Sequence, residues 1–338
     1  MIDAKVKAPP ANMKQMMSQM VVSKCLGIAA ELGIADIVAH HARSVASISE
    51  ELNLNGDALY RLLRLLTSHG IFTIDENQMV SNSDISDFLR EDIAGSQRNF
   101  ARTMGSSWMW QIFNHLDHSL KTGNSGFEIA FDDAPNLYQY FQTVSPKDGQ
   151  VFGKAMSGFS YAMDKPLIDA YDFSDVQHVV DLGGSEGKLL KYLKSVYPNV
   201  DATLFDLPHM INNARNADPE GVLNMVPGDF FNKVEPSADC YIIKYILHNW
   251  KDEACLKILE NCRKSIKENG RVLIMDILIK EDQPQIAEKS MDMLMLMVFG
   301  AKERTREEFE SLLTKTNFKI NRIIPTKTPL SIIEALPM

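Results

Sequence analysis

The stretch Val179-Val180-Asp181-Leu182-Gly183-Gly184-Ser185-Glu186-Gly187 decides the fold. It is typical of a short buried strand that ends in a glycine turn and opens a helix. Gly183 and Gly187 lack a Cβ atom, so the backbone can turn tightly and approach a ligand closely. The spacing G-G-x-x-G differs from the dinucleotide pattern G-x-G-x-x-G, and Asp181 stands just before the turn. Because a carboxylate there would repel a pyrophosphate, we expect a nucleotide-like ligand with cationic character, although the turn alone is also compatible with an ordinary strand-to-helix connection.

Strands and helices alternate on the C-terminal side of this turn. The hydrophobic pattern predicts strands at 177–183, 201–207, 222–226, 239–247 and 271–279, and helices at 186–196, near 210 and at 252–267. This alternation indicates a mostly parallel, doubly wound sheet covered on both faces, in which ligands bind beyond the carboxyl ends of the strands. The runs 318–325 and 330–335 flank a Thr-Lys-Thr-Pro turn and predict a closing antiparallel hairpin.

Two further acidic residues follow the next strands. Asp206 ends the second strand, where such folds place the carboxylate that binds ribose hydroxyls. Asp229 and Phe230 follow the third strand and offer an acceptor for an adenine amino group beside an apolar ring. A single acid at a strand end is usually solvated, but three in register at successive strand ends indicate a nucleoside site.

The N-terminal half has a different pattern. Residues 48–55 and 58–70 predict two helices, and 71–80 predict two short strands around a Glu76-Asn77 turn, which together resemble a helix-turn-helix with a wing. Such a motif suggests DNA binding, but residues 1–95 hold eight Lys or Arg against twelve Asp or Glu. The second helix instead carries a broad apolar stripe, which suits packing within the domain or against a second subunit: Leu59, Leu62, Leu63, Leu65 and Leu66.

Composition excludes several classes of protein. The chain has 338 residues, 45% of them hydrophobic and 23% charged, which is typical of a globular protein of about two domains. Its net charge of −9 disfavours nucleic acid and anionic membrane surfaces as partners. The longest apolar stretch, 294–299, is too short to span a bilayer, and the first twenty residues lack the pattern of a secretory signal, so we expect a cytoplasmic protein.

The four cysteines predict neither a disulfide framework nor a metal site. They form no C-x-x-C pair, and no histidine lies near them at zinc-site spacing, so we expect no metal. Cys255 and Cys262 are seven residues apart in a helical pattern and are expected to share a buried face. Asp252, which directly follows Trp250-Lys251, is expected to cap the helix that it begins.

Five segments together resemble the S-adenosylmethionine-dependent O-methyltransferases of the plant caffeate and acetylserotonin type. The segments are Val179-Val-Asp-Leu-Gly-Gly-Ser-Glu-Gly, Phe205-Asp-Leu-Pro-His-Met-Ile, Pro227-Gly-Asp-Phe-Phe, Lys244-Tyr-Ile-Leu-His-Asn-Trp-Lys-Asp-Glu and Gly300-Ala-Lys-Glu-Arg-Thr-Arg-Glu-Glu-Phe. The resemblance implies a Rossmann-like sheet of seven strands with an antiparallel last strand. It also implies a homodimer, with a winged-helix dimerisation domain at 1–100, a helical region contributing to the substrate pocket at 101–165 and a catalytic domain at 166–338.

The resemblance also assigns the cofactor residues. It implies that Asp206 binds the ribose of S-adenosylmethionine, that Asp229 and Phe230 frame the adenine, and that Lys244 and Ser160 contact the methionine end. The remaining members of the predicted cofactor site are Asp181, Gly183, Gly187 and Leu207. Where the family usually has three consecutive glycines, this chain has Ser185, which would be strained by about 1 kcal/mol if the turn required a positive φ.

Methyl transfer to a hydroxyl needs alignment and a base. A phenol with a pKa near 10 is mostly neutral at cellular pH, and a histidine base accelerates its reaction by roughly 10²- to 10⁴-fold. His248 ends the fourth strand; by position alone it is more typical of a polar contact, but the H-x-W-x-D segment of the family assigns it the role of general base. The resemblance places Asp276 and Glu303 beside the imidazole. Plant members commonly have Glu where this chain has Asp276, so its carboxylate is expected to reach His248 through water or to contact substrate.

The expected acceptor is a small aromatic or polyketide-like molecule with a phenolic hydroxyl. Candidate pocket residues are Trp108, Met156, Met297 and Phe299, with Trp110 and Phe113 as further candidates. Met297 and Phe299 belong to a methionine-rich helix in which core and pocket roles are equally compatible with the pattern. Two alternatives stay open: another reaction with the same cofactor, such as N-methylation, decarboxylation or hydroxylation, and a DNA-binding regulator that uses the winged helix.

Overall fold

The computed structural model describes residues 11–338, with side-chain surroundings from residue 13 onward except at residue 161. The first ten residues, which belong to the segment where the sequence predicts no secretory signal, lie outside the described residues. Packing divides the chain into two compact units. The first contains the residues up to 110 and Phe141–Phe159, and the second contains Gln111–Tyr140 and Ser160–Met338. The three-part division expected from the sequence stays a prediction.

The first unit is mainly helical, with a small three-stranded sheet. Its elements are α1 (Ala11–Glu31), α2 (Ile34–Ile37), β1 (Arg43–Ser44), α3 (Val45–Glu51), α4 (Gly56–Thr67), β2 (Thr73–Ile74), β3 (Met79–Ser81), a 3-10 turn (Ser86–Leu89) and α5 (Arg98–Gly105). Helices α3 and α4 and the β2–β3 wing confirm the predicted pattern. Both helices begin with a side-chain cap, Ser44 for α3 and Asn55 for α4. Leu59, Leu63 and Leu66 of the predicted stripe are buried in the core of this unit.

Helices α6 to α10 connect the two units along the chain. They are α6 (Ser107–Phe113), α7 (Leu116–Thr122), α8 (Phe127–Ala130), α9 (Leu137–Thr143) and α10 (Pro146–Asp169). The chain passes from one unit to the other three times, after residues 110, 140 and 159. Residues 111–140 therefore belong to the second unit, although they precede its sheet in sequence.

The second unit is built on a doubly wound sheet. Its strands are β4 (His178–Leu182), β5 (Asp201–Asp206), β6 (Asn224–Pro227), β7 (Cys240–Lys244), β8 (Arg271–Ile279), β9 (Arg304–Thr305), β10 (Phe318–Pro325) and β11 (Leu330–Pro337). The order β10-β11-β8-β7-β4-β5-β6 gives a path of seven strands, and β9 adds a short parallel pair at the end of β8. Pairs among β4 to β8 are parallel, whereas β11 is antiparallel to β8 and β10. The predicted sheet with its antiparallel last strand is thus confirmed.

Helices cover both faces of this sheet. They are α11 (Lys188–Val196), α12 (Pro208–Ala217), α13 (Asp252–Ser265), α14 (Ile286–Phe299) and α15 (Arg306–Lys315), with a 3-10 turn at Leu247–Asn249. Alternate residues of the buried strands enter two different hydrophobic clusters, because successive side chains point to opposite faces. Cys255 and Cys262 both lie fully buried in one of these clusters, as predicted. All four cysteines are free thiols.

Two features of the described residues concern membranes and metal ions. Among residues 11–338, each helix is too short or too polar to cross a lipid bilayer. In the same part of the chain, no group of three or more His, Cys, Asp or Glu side chains is arranged to hold a metal ion.

Candidate active site

The glycine turn after β4 has the conformation that its sequence suggests. Gly183 has a φ of +74°, and a Cβ atom there would lie 2.6 Å from Cδ1 of Ile246. Gly187 precedes α11 with a φ of +70°, and a Cβ atom there would lie 2.5 Å from Cδ1 of Leu223. The positive φ at both positions favours glycine, and a Cβ atom at either would also displace the end of a neighbouring side chain.

Ser185 adopts a positive φ, the strained conformation considered for it from the sequence. Its φ is +57°, which costs an L-residue of this kind about 1 kcal/mol. Its backbone N–H donates to Oδ2 of Asp206 at 2.9 Å, while Oδ1 of Asp206 accepts from the N–H of Leu207 at 2.7 Å. The turn and the end of β5 are thus fixed to each other through one carboxylate.

The three acidic residues predicted at the strand ends are staggered rather than level. Asp181 pairs with Leu204, and Asp206 lies two residues further along β5. Asp206 in turn pairs with Pro227, two residues before Asp229. The prediction of a common register was wrong. Each acid lies two residues further along its own strand direction than the acid on the neighbouring strand, because β5 and the segment after β6 extend further than β4. A step of two residues nevertheless keeps Asp181 and Asp206 on the same face of the sheet.

Asp181 is the most deeply placed of these acids. It is buried, and its Oδ2 has no hydrogen-bond partner in the described part of the chain. Burial raises its pKa to about 7, and the nearby ammonium of Lys244 opposes this rise only in part. Burial also raises the pKa of Asp206, against the two backbone N–H groups that bind it. Such a site favours a ligand that brings positive charge.

The adenine candidates lie around the glycine turn and the loop after β6. Cε1 of Phe230 is 3.5 Å from where a Cβ atom of Gly183 would lie, so this ring flanks the turn. Oδ1 of Asp229 accepts from the N–H of Phe231 at 2.8 Å, which orders the loop. Leu207 is 42% exposed directly after β5, which leaves its side chain accessible to a ligand.

Lys244 ends β7 and contacts Asp164 of α10 in a buried ion pair. Ser160 is half-buried one helical turn before Asp164, so both side chains point to the same side of α10. The next residue after Lys244, Tyr245, has a φ of +54°, a conformation that non-glycine residues adopt only under constraint. This reversal of the backbone directs the chain from Lys244 into the 3-10 turn that carries His248.

His248 and Glu303 form a buried pair beyond the carboxyl end of the sheet. Nδ1 of His248 lies 2.7 Å from Oε1 of Glu303. Burial lowers the pKa of His248, but the hydrogen bond and charge of Glu303 outweigh this effect, so the pKa lies above its ordinary value. The ring of Tyr245 packs against the imidazole at 5.1 Å between centroids. Asp292 in turn accepts from the backbone N–H of Glu303 at 2.9 Å.

Asp276 is near this pair but does not hydrogen-bond to it. Its side chain is fully buried in β8, and neither carboxylate oxygen makes a hydrogen bond of normal geometry in the described part of the chain. Burial raises its pKa to about 7; the charge of His248 lowers it, and that of Glu303 raises it further. Of the two acids assigned to the imidazole, the structure therefore brings only Glu303 into contact with it.

Arg304 holds the loop that carries His248. Its guanidinium is fully buried and donates to the carbonyl oxygens of Leu247 and Trp250, each at 2.8 Å. It also donates to Oδ1 of Asp252 at 2.8 Å. The prediction that Asp252 caps α13 was wrong: Lys251 occupies the N-cap position, and the Asp252 carboxylate pairs with Arg304 from within the first turn.

The acceptor candidates divide between the two units. Met297 and Phe299 lie near the end of α14 in the second unit, and Phe299 stacks on Tyr138 of α9 at 6.2 Å between ring centroids. Trp108 is buried in the first unit, where it packs edge-on against Phe141. Met156 is half-buried in the first unit, as is Trp110, whereas Phe113 belongs to the second unit. The roles of all these residues in acceptor binding stay predictions.

A sheet of this order with acidic strand ends beside a glycine turn defines an α/β methyltransferase. The O-methyltransferase domain matches residues 113–319 and the O-methyltransferase dimerisation domain matches residues 14–92, so the chain belongs to the O-methyltransferase family. Members of this family use S-adenosylmethionine as methyl donor.

Relatives and solved structures agree with this assignment over almost the whole chain. The chain is 32% identical to a phenazine O-methyltransferase of Lysobacter antibioticus, covering 96% of this chain and 95% of that protein. It is 30% identical to the mitomycin biosynthesis 6-O-methyltransferase of Streptomyces lavendulae, covering 92% and 90%. An O-methyltransferase of neocarzinostatin biosynthesis, solved with S-adenosylmethionine and 2-hydroxy-5-methyl naphthoic acid, matches with a TM-score of 0.80 at 26% identity, covering 94% of this chain and 96% of that one.

Sequence reasoning missed three residues that organise the site. Asp164 lies in a helix with no recognised motif. It is on the same side of α10 as Ser160, which would indicate a role in the site, but this relation is visible only once the extent of the helix is known. Arg304 directly follows Glu303 inside a quoted segment, but its burial depends on the fold. Tyr138 precedes the sheet by forty residues, and nothing in its local pattern indicates that it meets Phe299.

Proposed function

We propose that the protein methylates a phenolic hydroxyl of a planar aromatic acceptor, with His248 as general base. The observation that carries this proposal is the buried hydrogen bond between His248 and Glu303 at the ligand-binding end of the sheet. The similarity to a phenazine O-methyltransferase, and to a structure solved with 2-hydroxy-5-methyl naphthoic acid, supports an aromatic acceptor.

Glu303 prepares His248 for this role. When Nδ1 carries the proton donated to Glu303, Nε2 is the unprotonated nitrogen and can accept a proton from a hydroxyl. After proton transfer, the buried carboxylate stabilises the imidazolium at a distance of 2.7 Å. Arg304 keeps the 3-10 turn in place through the carbonyl of Leu247, and so restricts the position of the imidazole.

The residues at the strand ends fit the cofactor. When bound, S-adenosylmethionine supplies an activated methyl group on a positively charged sulfur. Within the described residues, Oδ2 of buried Asp181 has no hydrogen-bond partner, which supports a cationic nucleoside at this place. In this proposal Asp206 binds the ribose, and Lys244 and Ser160 bind the methionine end. The adenine contacts Leu207, Asp229 and Phe230.

Tyr138 and Phe299 are proposed as one wall of the acceptor site. The two rings are nearly parallel, with an angle of 27° between their planes. The residue Tyr138 as a whole is 42% exposed. Burial around its hydroxyl, with a smaller contribution from the charge of Asp206, raises its pKa to about 12. A neutral, partly accessible ring at this position is suited to a flat aromatic acceptor. Met297 lies on the same helix as Phe299 and is proposed to contribute to this wall. The acceptor roles of Trp108 and Met156, which belong to the first unit, stay predictions.

We also propose that the protein is a homodimer. Residues 14–92 match a dimerisation domain, and α1, which overlaps the start of this range, exposes a row of apolar side chains: Met13, Met16, Met17, Met20 and Val21. Exposed apolar surface of this extent usually marks an interface. Light scattering coupled to size-exclusion chromatography is expected to give twice the mass of one chain. A purely monomeric mass at micromolar concentration would contradict this part of the proposal.

The direct test of the activity is product analysis. Incubation with S-adenosylmethionine and a panel of phenols, anilines and aliphatic alcohols is expected to produce S-adenosylhomocysteine. For each active phenol, the acceptor should gain the mass of one methyl group in equal molar amount. Methylation of anilines but not of the matching phenols would contradict the proposed reaction.

A further inference from the structure

We propose that Asp164 is a binding residue for the amino-acid end of the cofactor. In this proposal Lys244 and Asp164 form a charge pair that recognises an α-amino-acid zwitterion: Lys244 binds its carboxylate, and Asp164 binds its ammonium. The inference rests on the proposed function for the placement of the methionine end near Lys244 and Ser160.

The position of the pair is the first argument. Asp164 and Lys244 come from different layers of the second unit, α10 and the end of β7, and are 80 residues apart in sequence. Their side chains are 4% and 10% exposed. Burial of an ion pair costs desolvation that is often not recovered in stability, so such a pair at the ligand-binding end of a sheet indicates a binding role.

The charge balance is the second argument. Asp164, Asp181 and Asp206 are all buried, and Asp181 interacts electrostatically with the other two acids and with Lys244. The charge of Lys188 also lowers the pKa of Asp164, but the ammonium of Lys188 forms its ion pair with Glu186, at 2.9 Å. Asp164 and Asp181 therefore share the ammonium of Lys244, and Asp206 adds a further buried carboxyl group beside Asp181. Among residues 11–338, no group hydrogen-bonds to Oδ2 of Asp181, so this oxygen remains available to a ligand.

The chemistry of the pair is the third argument. The ammonium of Lys244 has three N–H donors, of which the bond to Oδ1 of Asp164 uses one. The carboxylate of Asp164 has acceptor positions on both oxygens. Two opposite charges in contact match the ammonium and carboxylate of an amino acid, whereas Lys244 alone would match only the carboxylate. Asp164 thus provides a reason for selecting a ligand with a free α-amino group.

Calorimetry with three ligands separates the two charges. The ligands are S-adenosylhomocysteine, its analogue with hydrogen in place of the α-amino group, and 5′-methylthioadenosine, which lacks the amino-acid end. Asp164→Asn is expected to weaken binding of S-adenosylhomocysteine at least about tenfold and to change the other two affinities less than about twofold. Lys244→Met should weaken both ligands that carry the carboxylate. Asp169→Asn, on the same helix in an exposed pair with Lys165, is the matched control and should change none.

The outcomes distinguish this inference from the proposed function. If the wild-type protein binds none of the three ligands, the proposed function itself fails. If it binds S-adenosylhomocysteine but Asp164→Asn has no effect, or weakens all three ligands equally, the role of Asp164 is overturned. Should the variant not fold, the wild-type protein still decides, because the inference requires at least about tenfold weaker binding of the deaminated analogue than of S-adenosylhomocysteine.

Discussion

His248 and Glu303 are joined by a buried contact of 2.7 Å across 55 positions of the sequence. The histidine lies in the turn after β7, and the glutamate lies just before β9. Neither local segment specifies this contact, which depends on the parallel pairing of β9 with the end of β8. Because the carboxylate accepts from Nδ1, the tautomer and the orientation of the ring are determined by the fold before any ligand binds.

Replacement of the proposed base should separate catalysis from cofactor binding. His248→Ala is expected to lower kcat at least about 10²-fold, because it removes the proposed acceptor of the hydroxyl proton, while the Kd for S-adenosylhomocysteine stays within about twofold. Single-turnover rates and calorimetry measure the two quantities. His178→Ala, at the opposite end of the sheet, serves as control and should keep its rate. A His248→Ala enzyme with wild-type turnover would remove this residue from the base role.

The pH dependence of the rate should report the charge of Glu303. Because the pKa of His248 is raised above its ordinary 6.5 and only the neutral imidazole accepts a proton, kcat should rise with pH through a midpoint above 6.5. Glu303→Gln removes the charge that raises this pKa, so the midpoint should move to lower pH and the plateau rate should fall. Glu308→Gln, in the cap of α15, is the control. A midpoint that stays in place or moves upward in Glu303→Gln would contradict this explanation.

The buried carboxyl group of Asp276 should lower the free energy of unfolding at neutral and alkaline pH, where it is ionised. Burial raises its pKa from 3.8 to about 7, so the unfolded state ionises this group more readily, and the destabilisation grows as pH rises from about 4 to 7. Asp276→Asn is therefore expected to raise Tm by several degrees at pH 8 and by less at pH 5. Calorimetric scans at both pH values test this expectation. A gain that is equal at the two values, or a loss at pH 8, would show that the native site stabilises the charged carboxylate.

Gly183 should be less tolerant of a Cβ atom than Gly123, which has a similar positive φ. Gly183→Ala places this atom 2.6 Å from Ile246, whereas Gly123, with a φ of +70°, has nothing within 4 Å. Gly123→Ala should therefore lose only about 1 kcal/mol of stability from its backbone conformation, and Gly183→Ala should lose more and bind S-adenosylhomocysteine at least about tenfold more weakly. Urea denaturation and calorimetry compare them. Equal losses in both variants would argue against crowding at the turn.

The aromatic wall should affect the acceptor and not the cofactor. Tyr138→Leu removes the ring that stacks on Phe299 and is expected to raise KM for a flat aromatic acceptor several-fold, because stacked pairs contribute about 0.5–1.5 kcal/mol. Tyr138→Phe keeps the ring and should restore the wild-type KM. Steady-state kinetics at saturating cofactor make the comparison. If Tyr138→Phe is as impaired as Tyr138→Leu, the hydroxyl and not the ring is the important group.

The strands of the second unit could be predicted closely from sequence, because residues buried on both faces form continuous apolar runs with glycine and acidic ends. The glycine turn and the positions of Asp206 and His248 followed from the same pattern. The register of the acids could not be predicted, since it depends on how far each strand extends beyond its neighbour. The error at Asp252 has a similar origin: an acid at the start of a helix usually caps it, but buried Arg304 competes for the same carboxylate.

Long-range contacts within the site were less predictable still. Asp164 and Lys244 meet only because α10 packs on the end of the sheet, and Tyr138 meets Phe299 only because 111–140 joins the second unit. Such pairs carry no mutual signal in one sequence. The strain at Ser185 is an intermediate case, because the substitution of a glycine was visible and the φ of +57° was not.

The chain changes from one compact unit to the other at three positions, and this matters for protein engineering. Hybrid enzymes made with a related methyltransferase would behave differently according to where the parents are joined. A junction at residue 111 keeps Tyr138 from the same parent as His248, whereas a junction at residue 160 takes Tyr138 from the other parent. On the proposed role of Tyr138, the two hybrids should differ in acceptor preference. Exchange of 111–140 alone would then alter selectivity while the proposed cofactor residues of the second unit are retained.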